Sequence, residues 1–178
     1  METGMVYNND KFVYKTFIDE HIPTLREEFL SNDFSNAPLY PAGTYAKLDI
    51  HQKWKMIVMK NMGEWDLGNK SKYPLFNSFI ETFGEQCRSA GFSILEPGGK
   101  VLTHTDTEED HEKYVIVHVP LIVPEGDVGL TENNETAKWV EGSSFILDVE
   151  SPHSIWNFTS EPRVVILLEL LKEYAYEC

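Results

Sequence analysis

The sequence predicts a mainly β fold, a double-stranded β-helix (jelly roll), with two supporting helices in its N-terminal half. Short runs rich in β-branched and aromatic residues follow one another after Gly91, and Pro, Gly and Ser separate them. Eight such runs match the eight strands of a jelly roll. Before Gly91, two segments carry apolar residues at intervals of three to four, which is typical of amphipathic helices. A chain of 178 residues is long enough for one domain with a sizeable core.

The lead-in to the jelly roll is predicted over residues 1–43. Apolar spacing predicts its helix over residues 17–30, and Pro23 suits the first turn of that helix. Residues 31–43 are rich in Asn, Asp, Pro and Gly, which predicts a loop. Residues 44–178 are then the jelly-roll core, and the whole chain is predicted to be a single domain.

The first part of this core is predicted to precede the jelly-roll strands. Compact apolar runs predict two short strands over residues 45–50 and 55–60, and breakers predict a loop over 61–74. A stripe of Leu, Phe and Ile predicts the second helix over about 75–90. The eight strands of the jelly roll are predicted over residues 92–95, 100–103, 114–123, 128–131, 137–140, 144–148, 154–158 and 164–171.

Composition excludes several classes of partner. A net charge of −14 argues against nucleic acid and against an anionic membrane surface, because both need clustered Lys and Arg. Cys87 and Cys178 form neither a metal-ligand spacing nor a disulfide framework. No apolar run suits a signal peptide or a membrane span. These features predict a cytoplasmic protein that binds neither nucleic acid nor membrane.

A candidate metal site lies in the second half of the chain. His104 and Asp106 are two residues apart at the end of a predicted strand, so their side chains point to the same face. His153 precedes another predicted strand. Two imidazoles and one carboxylate that leave other positions open are typical of non-haem Fe(II) oxygenases. Because a His-x-Asp triplet arises readily by chance, a loop His–Asp hydrogen bond with an unrelated His153 stays open as the alternative.

Arg163 is a candidate for binding an organic acid. It begins the most apolar predicted strand of the chain, where an inward-pointing charge is costly unless it is paired. The best partner for a guanidinium is a carboxylate held by two hydrogen bonds. The alternative is a residue at the strand end that faces solvent and pairs with Glu161.

Together these residues resemble a known family, the aspartyl/asparaginyl β-hydroxylase-type 2-oxoglutarate dioxygenases, across roughly residues 54–170. The resemblance implies a jelly-roll fold and three cofactors or cosubstrates: Fe(II), 2-oxoglutarate and O2. The motifs that carry it are Phe92-Ser93-Ile94-Leu95-Glu96-Pro97-Gly98-Gly99, His104-Thr105-Asp106, His118-Val119-Pro120-Leu121-Ile122-Val123-Pro124, Trp139-x-Glu141-Gly142, and His153-Ser154-Ile155-Trp156 followed by Arg163.

The resemblance also implies roles for single residues. His104 and His153 match the iron-binding histidines of the family. No protein nucleophile is needed, because the chemistry belongs to the metal and the cosubstrate. The positions that match contacts to 2-oxoglutarate are Arg163, for the distal carboxylate, and Ser93, His118 and Trp54.

Two positions depart from the family pattern. The namesake hydroxylase has glycine where this chain has Asp106, so this chain is more similar to relatives with two histidines and one carboxylate. Ile116 replaces a family arginine two residues before His118, which puts one cosubstrate contact in doubt. Lys113 is near in sequence, but no spacing shows that it takes the place of this arginine, and compensation by Lys113 or by another residue stays open.

The sequence therefore predicts an Fe(II)- and 2-oxoglutarate-dependent dioxygenase that hydroxylates an amino acid or an amino-acid residue in a peptide or protein. The alternatives are a cupin-like metal- or small-molecule-binding protein without oxygenase activity, and another metal in the same site. Residues 31–43, 61–73 and 107–113 are candidate lids. The acidic run Glu108-Glu109-Asp110 is interpreted as a solvated loop or as a feature that favours a cationic substrate.

Overall fold

The computed structural model of the chain describes residues 9–40, 45–106 and 110–176. These residues form four α-helices and two antiparallel sheets. The helices are α1 (Lys15–Leu30), α2 (Leu67–Lys72), α3 (Pro74–Glu81) and α4 (Lys172–Ala175). The strands are β1 (Trp54–Asn61), β2 (Glu64–Trp65), β3 (Cys87–Leu95), β4 (Gly99–His104), β5 (Tyr114–Ile122), β6 (Val128–Glu132), β7 (Glu135–Ala137), β8 (Phe145–Leu147), β9 (His153–Asn157) and β10 (Arg163–Leu171).

The strand order confirms the predicted jelly roll. The large sheet has the order β2-β1-β3-β10-β5-β8, and the small sheet has the order β4-β9-β6-β7. From β3 onward the chain therefore passes repeatedly from one sheet to the other, which is the path of a double-stranded β-helix. Strands β1 and β2 extend one edge of the large sheet. Seven of the eight strands predicted for the jelly roll are present, with bounds that differ by a few residues, whereas the strand predicted over 137–140 shares only Ala137 with β7.

The large sheet is apolar on both faces because each face covers a different core. On β10, Val164, Ile166 and Leu168 pack outward against the helices, whereas Val165 and Leu167 point between the two sheets. Alternation along a strand sends successive side chains to opposite faces. The continuous apolar run that made this strand conspicuous in the sequence therefore reflects burial on both sides.

Helices α1 and α3 cover the outer face of the large sheet, as the prediction of two supporting helices requires. Ile18, Phe29 and Phe76 are fully buried in the core that they share with the sheet. The buried carboxylate of Glu28 on α1 accepts hydrogen bonds from the backbone N–H groups of Leu75, at 2.7 Å, and Phe76, at 2.8 Å. Because the first N–H groups of a helix lack internal partners, Glu28 joins α1 to the start of α3.

The predicted bounds of both helices were partly wrong. α1 begins at Lys15, so Pro23 lies inside the helix and not in its first turn. The helix predicted over about 75–90 ends at Glu81, and Gly84 then adopts a φ of +55°, which an α-helix does not contain. The residues from Cys87 onward pair with β10 instead. The pairing with β10 therefore determines the structure of these residues, although the apolar spacing before them continued the helical pattern in the prediction.

Two predictions between the helices were also wrong. Residues 45–50 form a short 3-10 turn and an isolated bridge, because the Asp49 carboxylate accepts the N–H groups of Lys53 and Trp54 and turns the chain. The loop predicted over 61–74 contains β2 and α2. Its hairpin turn has positive φ at both Met62 and Gly63, the conformation of two-residue hairpin loops.

Parts of the candidate lids lie outside the described residues, namely 41–43 and 107–109, which include Glu108 and Glu109. Within the described part of the chain, no helix has the length and apolar character needed to cross a membrane.

Candidate functional site

His104 and His153 meet where the small sheet ends. They pair with each other on the neighbouring strands β4 and β9, after a shift in the strand register that follows Val101. The centroids of their rings are 4.4 Å apart. Nδ1 of His104 lies 2.7 Å from the carbonyl oxygen of Leu102, and Nδ1 of His153 lies 2.8 Å from the carbonyl oxygen of Ser151. A carbonyl oxygen only accepts, so each Nδ1 carries the proton and each Nε2 keeps a lone pair for a ligand.

Asp106 completes the group. Its Oδ1 lies 3.5 Å from Nε2 of His104 and 3.9 Å from Nε2 of His153. The Tyr45 hydroxyl donates a hydrogen bond of 3.1 Å to the same oxygen, and the backbone N–H of Asp106 donates to the carbonyl oxygen of Val149 at 2.9 Å. The bond from Tyr45 therefore orients the Asp106 carboxylate, and the bond to Val149 fixes the Asp106 backbone.

The three side chains can hold one metal ion. One ligand atom from each lies within 4.8 Å of the others, and atoms that share one metal at about 2.1 Å lie roughly 3–3.5 Å apart. Burial lowers the pKa of His104, so its ring is neutral and available as a ligand at pH 7. His153 belongs to the same group as His104 and Asp106, so the geometry does not favour the alternative of an unrelated His153.

A buried turn before β9 holds two of these three side chains. Asp148 is 6% exposed, and its carboxylate accepts the N–H of Glu150 at 3.0 Å and the hydroxyl of Ser151 at 2.5 Å. The carbonyl oxygen of Ser151 in turn accepts from His153, and that of Val149 accepts from Asp106. The Asp148 carboxylate thus fixes the turn that orients both candidate ligands.

We expect Asp148→Ala to weaken Mn(II) binding by about 10–100-fold, the usual cost of losing an outer-shell partner of a metal site. Asp148→Asn keeps one acceptor oxygen and is expected to recover most of the affinity. Calorimetric titration with Mn(II) measures both. Asp127→Ala is the matched control. The Asp127 carboxylate also accepts a hydrogen bond from a residue of β9, the Trp156 indole, but this bond lies away from the candidate ligands. Equal Mn(II) affinity for Asp148→Ala and Asp127→Ala would contradict this role.

A cavity of about 230 Å³ lies between the sheets, beside the three side chains. Its wall includes all the residues predicted to contact 2-oxoglutarate. We call the part lined by the buried residues Trp54, Ser93, His118 and Arg163 the closed half. We call the part lined by the half-buried residues Ser89, Tyr114, Ile116 and Glu169, together with the buried Leu147, the open half.

Arg163 is a buried cation at the closed half. It is 1% exposed, and its Nε is buried without a hydrogen-bond partner among the described residues. Its closest polar contact is a long one, 3.5 Å from a terminal nitrogen to Ser93 Oγ. Burial lowers the pKa of Arg163 to about 9, which leaves it protonated at neutral pH. The alternative of a surface residue paired with Glu161 was wrong.

Trp54 and Ser93 lie next to Arg163. The Trp54 indole N–H donates a 2.9 Å hydrogen bond to Ser93 Oγ, and the Tyr40 ring stacks on Trp54 with 4.2 Å between centroids. Because Ser93 accepts from Trp54, its own hydroxyl hydrogen can be donated to a ligand in the cavity.

His118 is a neutral donor at the cavity wall. The Trp139 indole N–H donates to His118 Nδ1 at 3.1 Å, so the ring proton is on Nε2. Burial, with the nearby charge of Arg163, lowers the pKa of His118 to about 3. Trp139 also lies under the Arg163 guanidinium, 4.6 Å from the ring centroid, and offers a cation–π contact. One indole thus positions two candidate ligand-binding groups.

The sequence did not identify every residue of the site. Trp139 was part of a recognised motif but had no predicted role, and Tyr45 gave no signal because its contact with Asp106 joins distant residues. Ile116 lines the cavity, as its place in the motif suggested. Lys113 does not compensate for Ile116: its side chain is 57% exposed and pairs with Asp110 at 2.7 Å.

Comparison with protein families and curated proteins gives consistent matches. The family model described as aspartyl/asparaginyl beta-hydroxylase matches residues 19–173. The ornithine lipid ester-linked acyl 2-hydroxylase of Rhizobium tropici is 25% identical over 173 residues, which cover 94% of this chain and 60% of that protein. The aspartyl/asparaginyl beta-hydroxylase of Mus musculus is 28% identical over 96 residues, 54% of this chain and 13% of that protein. The chain thus spans 60% or less of these relatives' length.

Solved structures with similar architecture include the cupin domain of Schizosaccharomyces pombe Cnp3, with a TM-score of 0.44 and 13% identity over 74% of each chain. A cupin 2 conserved barrel domain protein from Salinispora arenicola has a TM-score of 0.42 and 14% identity, over 79% of this chain and 94% of that one.

Proposed function

Because the chain belongs to the aspartyl/asparaginyl β-hydroxylase family, we propose that it is an Fe(II)- and 2-oxoglutarate-dependent dioxygenase that hydroxylates a small-molecule or peptide substrate. The observation that carries this proposal is Arg163, a buried cation without a counter-ion in the described residues, in the same cavity as a His/Asp/His group. A buried charge is costly unless it is paired. The buried charge of Arg163 therefore supports an anion as its partner, bound in the cavity beside a metal.

The side chains divide into two sets of roles. His104, Asp106 and His153 would hold Fe(II) on one face and leave the opposite positions open. Arg163 would bind the distal carboxylate of 2-oxoglutarate, since a guanidinium can donate two parallel hydrogen bonds to it. The other cosubstrate contacts would be donors: Ser93 through its hydroxyl, which Trp54 orients, and His118 through Nε2–H.

When bound, iron and 2-oxoglutarate together supply the oxidation: a substrate C–H becomes C–OH with one oxygen atom of O2, and 2-oxoglutarate becomes succinate and CO2 with the other. The protein contributes orientation and a site that excludes water. Trp54, Trp139 and Arg163 are 7%, 3% and 1% exposed, so the closed half is shielded from solvent. In that environment the attraction between Arg163 and a carboxylate is stronger than in water.

The relatives are named for two classes of substrate, one for an acyl group and another for aspartyl and asparaginyl residues. We propose an amino acid or an amino-acid residue in a peptide as the substrate, as the resemblance implies. We propose a cytoplasmic location from the composition. A cupin-like binding protein without oxygenase activity is not favoured, because it gives no reason for a buried arginine beside the His/Asp/His group.

The test is the visible spectrum of the anaerobic protein with Fe(II) and 2-oxoglutarate. Chelation of Fe(II) by a 2-oxo acid is expected to give a weak charge-transfer band in the visible range. Glutarate replaces 2-oxoglutarate in the control, since it keeps both carboxylates at the same chain length and lacks only the 2-oxo group. Folded, iron-loaded protein that gives no band with 2-oxoglutarate would reject the proposal in favour of a binding protein.

A further inference from the structure

A buried asparagine at the end of β9 is linked to the point where β10 begins with Arg163. We propose that Asn157 is a positioning residue: through the turn over 158–162 it sets the place of the Arg163 guanidinium. It thereby sets the preference for a 2-oxo acid that carries a second carboxylate. The inference deepens the proposed function and rests on it, because Arg163 is there the group that binds the distal carboxylate.

The Asn157 side chain is fully buried, and its amide has a partner for each donor and acceptor site. Its Nδ2 donates to the backbone carbonyl oxygens of Leu95 and Glu161, each at 2.8 Å. Its Oδ1 accepts from the backbone N–H of Thr159 at 3.1 Å and from the hydroxyl of the same residue at 2.7 Å. One amide therefore joins the end of β3 to two residues of the turn.

The turn that leads to β10 lies at the surface. Phe158 and Glu161 are exposed, so these side chains bury little apolar area that could hold the turn in place. The backbone N–H of Phe158 donates to the carbonyl oxygen of Asp127 at 2.8 Å and fixes the start of the turn. Beyond that residue, the bonds of Asn157 to Thr159 and Glu161 close the turn, so the chain reaches β10 at a defined place.

The large sheet holds Arg163 from one side. Arg163 pairs with Leu95 on β3, whereas the pairing of β10 with β5 begins at Val164, which pairs with Ile122. Leu95 is also the residue of β3 whose carbonyl oxygen accepts from Asn157. In the described part of the chain, Asn157 thus binds the strand partner of Arg163 as well as the turn before it.

The place of the guanidinium depends on this backbone, because its side-chain contacts are weak. Within the described residues its interactions are the Trp139 ring, 4.6 Å from the guanidinium carbon, and a long contact of 3.5 Å to Ser93 Oγ. A carboxylate receives two parallel hydrogen bonds from a guanidinium only when both donors are correctly placed. A shift of about 1 Å in such a site can cost roughly 100-fold.

Asn157→Ala removes the amide and tests its role. We expect the affinity of the Mn(II)-loaded protein for 2-oxoglutarate to fall by about 10–100-fold, because the guanidinium loses its place. The comparison probe is 2-oxopentanoate, which keeps the chain length and the 2-oxo acid group but ends in a methyl group instead of the distal carboxylate. Its affinity and the affinity for Mn(II) should be unchanged. Calorimetric titration measures all three affinities.

Asn69→Ala is the matched control. The Asn69 amide also donates to a strand carbonyl oxygen, that of Val58 at 2.8 Å, but Asn69 does not line the cavity. A merely structural Asn157 would lower the thermal stability and leave the ratio of the two acid affinities as it is in the Asn69→Ala protein. That result in folded Asn157→Ala would overturn the inference. An equal loss of affinity for both acids would also overturn it, because the whole site would then be displaced.

Thr159→Val is a second and milder variant, which decides the matter if Asn157→Ala does not fold. It removes one of the bonds to Asn157 Oδ1 and keeps the shape of the side chain. We expect a loss of about fivefold in 2-oxoglutarate affinity, the usual contribution of one hydrogen bond, and no loss for 2-oxopentanoate. Unchanged 2-oxoglutarate affinity would reject the role of the turn.

The unmodified protein separates this inference from the proposed function. It should bind 2-oxoglutarate more tightly than 2-oxopentanoate. If it binds both acids equally, or does not bind 2-oxoglutarate, the proposed function fails before any variant is compared.

Discussion

His153→Ala is expected to abolish metal binding, and with it all 2-oxoglutarate turnover. His153 is the most buried of the three candidate ligands, at 5% exposure, and its Nε2 faces both the other histidine and Asp106. Losing a ligand atom should cost well over the roughly 100-fold that the loss of an outer-shell partner costs. Calorimetric titration with Mn(II) measures the affinity, and succinate release with Fe(II) measures the turnover.

The control for this prediction is His51→Ala, because His51 is an exposed histidine outside the cavity wall. Its Mn(II) affinity should equal that of the unmodified protein. Thermal unfolding without metal shows whether the His153 variant still folds. A folded His153→Ala protein that binds Mn(II) within tenfold of the His51→Ala protein would mean that the ion is held elsewhere.

The sequence predicted the part of the site that depends on local spacing. His104 and Asp106 were predicted to face the same way because they are two residues apart near a strand end, and both now approach His153. The continuous apolar run of β10 predicted a buried strand. For Arg163 at its start, one of two interpretations was an inward-pointing cation that needs a carboxylate, and its burial agrees with that one. These inferences needed only the alternation of a strand and the cost of burying a charge.

The remaining features depend on contacts between distant residues. The Arg88–Glu169 pair joins residues that are 81 apart in sequence, so Glu169 gave no sign that it lines a cavity. The Asp49 carboxylate turns a segment whose composition predicted a strand. The double role of Trp139 appears only when β5, β10 and the segment before β8 are placed together. Local patterns cannot determine such pairs, since tertiary contacts override propensity.

Arg163→Met is expected to have opposite effects on ligand binding and on stability. Methionine fills much of the same volume but removes the charge and the hydrogen-bond donors. The affinity for 2-oxoglutarate should fall by roughly 30–5,000-fold, because truncating one partner of a buried charge pair costs about 2–5 kcal/mol. The affinity for Mn(II) should be unchanged, since Arg163 is not among the candidate ligands.

The stability of the unliganded protein should change in the other direction. Without an anion, Arg163 is a buried charge with an unpartnered Nε, and only the Trp139 ring and a long contact to Ser93 offset its desolvation. Apolar replacements of buried ionic groups are often neutral or stabilising by about 1–4 kcal/mol. Chemical denaturation of the metal-free protein should therefore give Arg163→Met a free energy of unfolding equal to or greater than that of the unmodified protein.

If the variant is instead less stable and still binds 2-oxoglutarate normally, Arg163 serves packing alone. A gain in stability with a loss of 2-oxoglutarate affinity would show that the cation is kept for its ligand, at a cost to the fold.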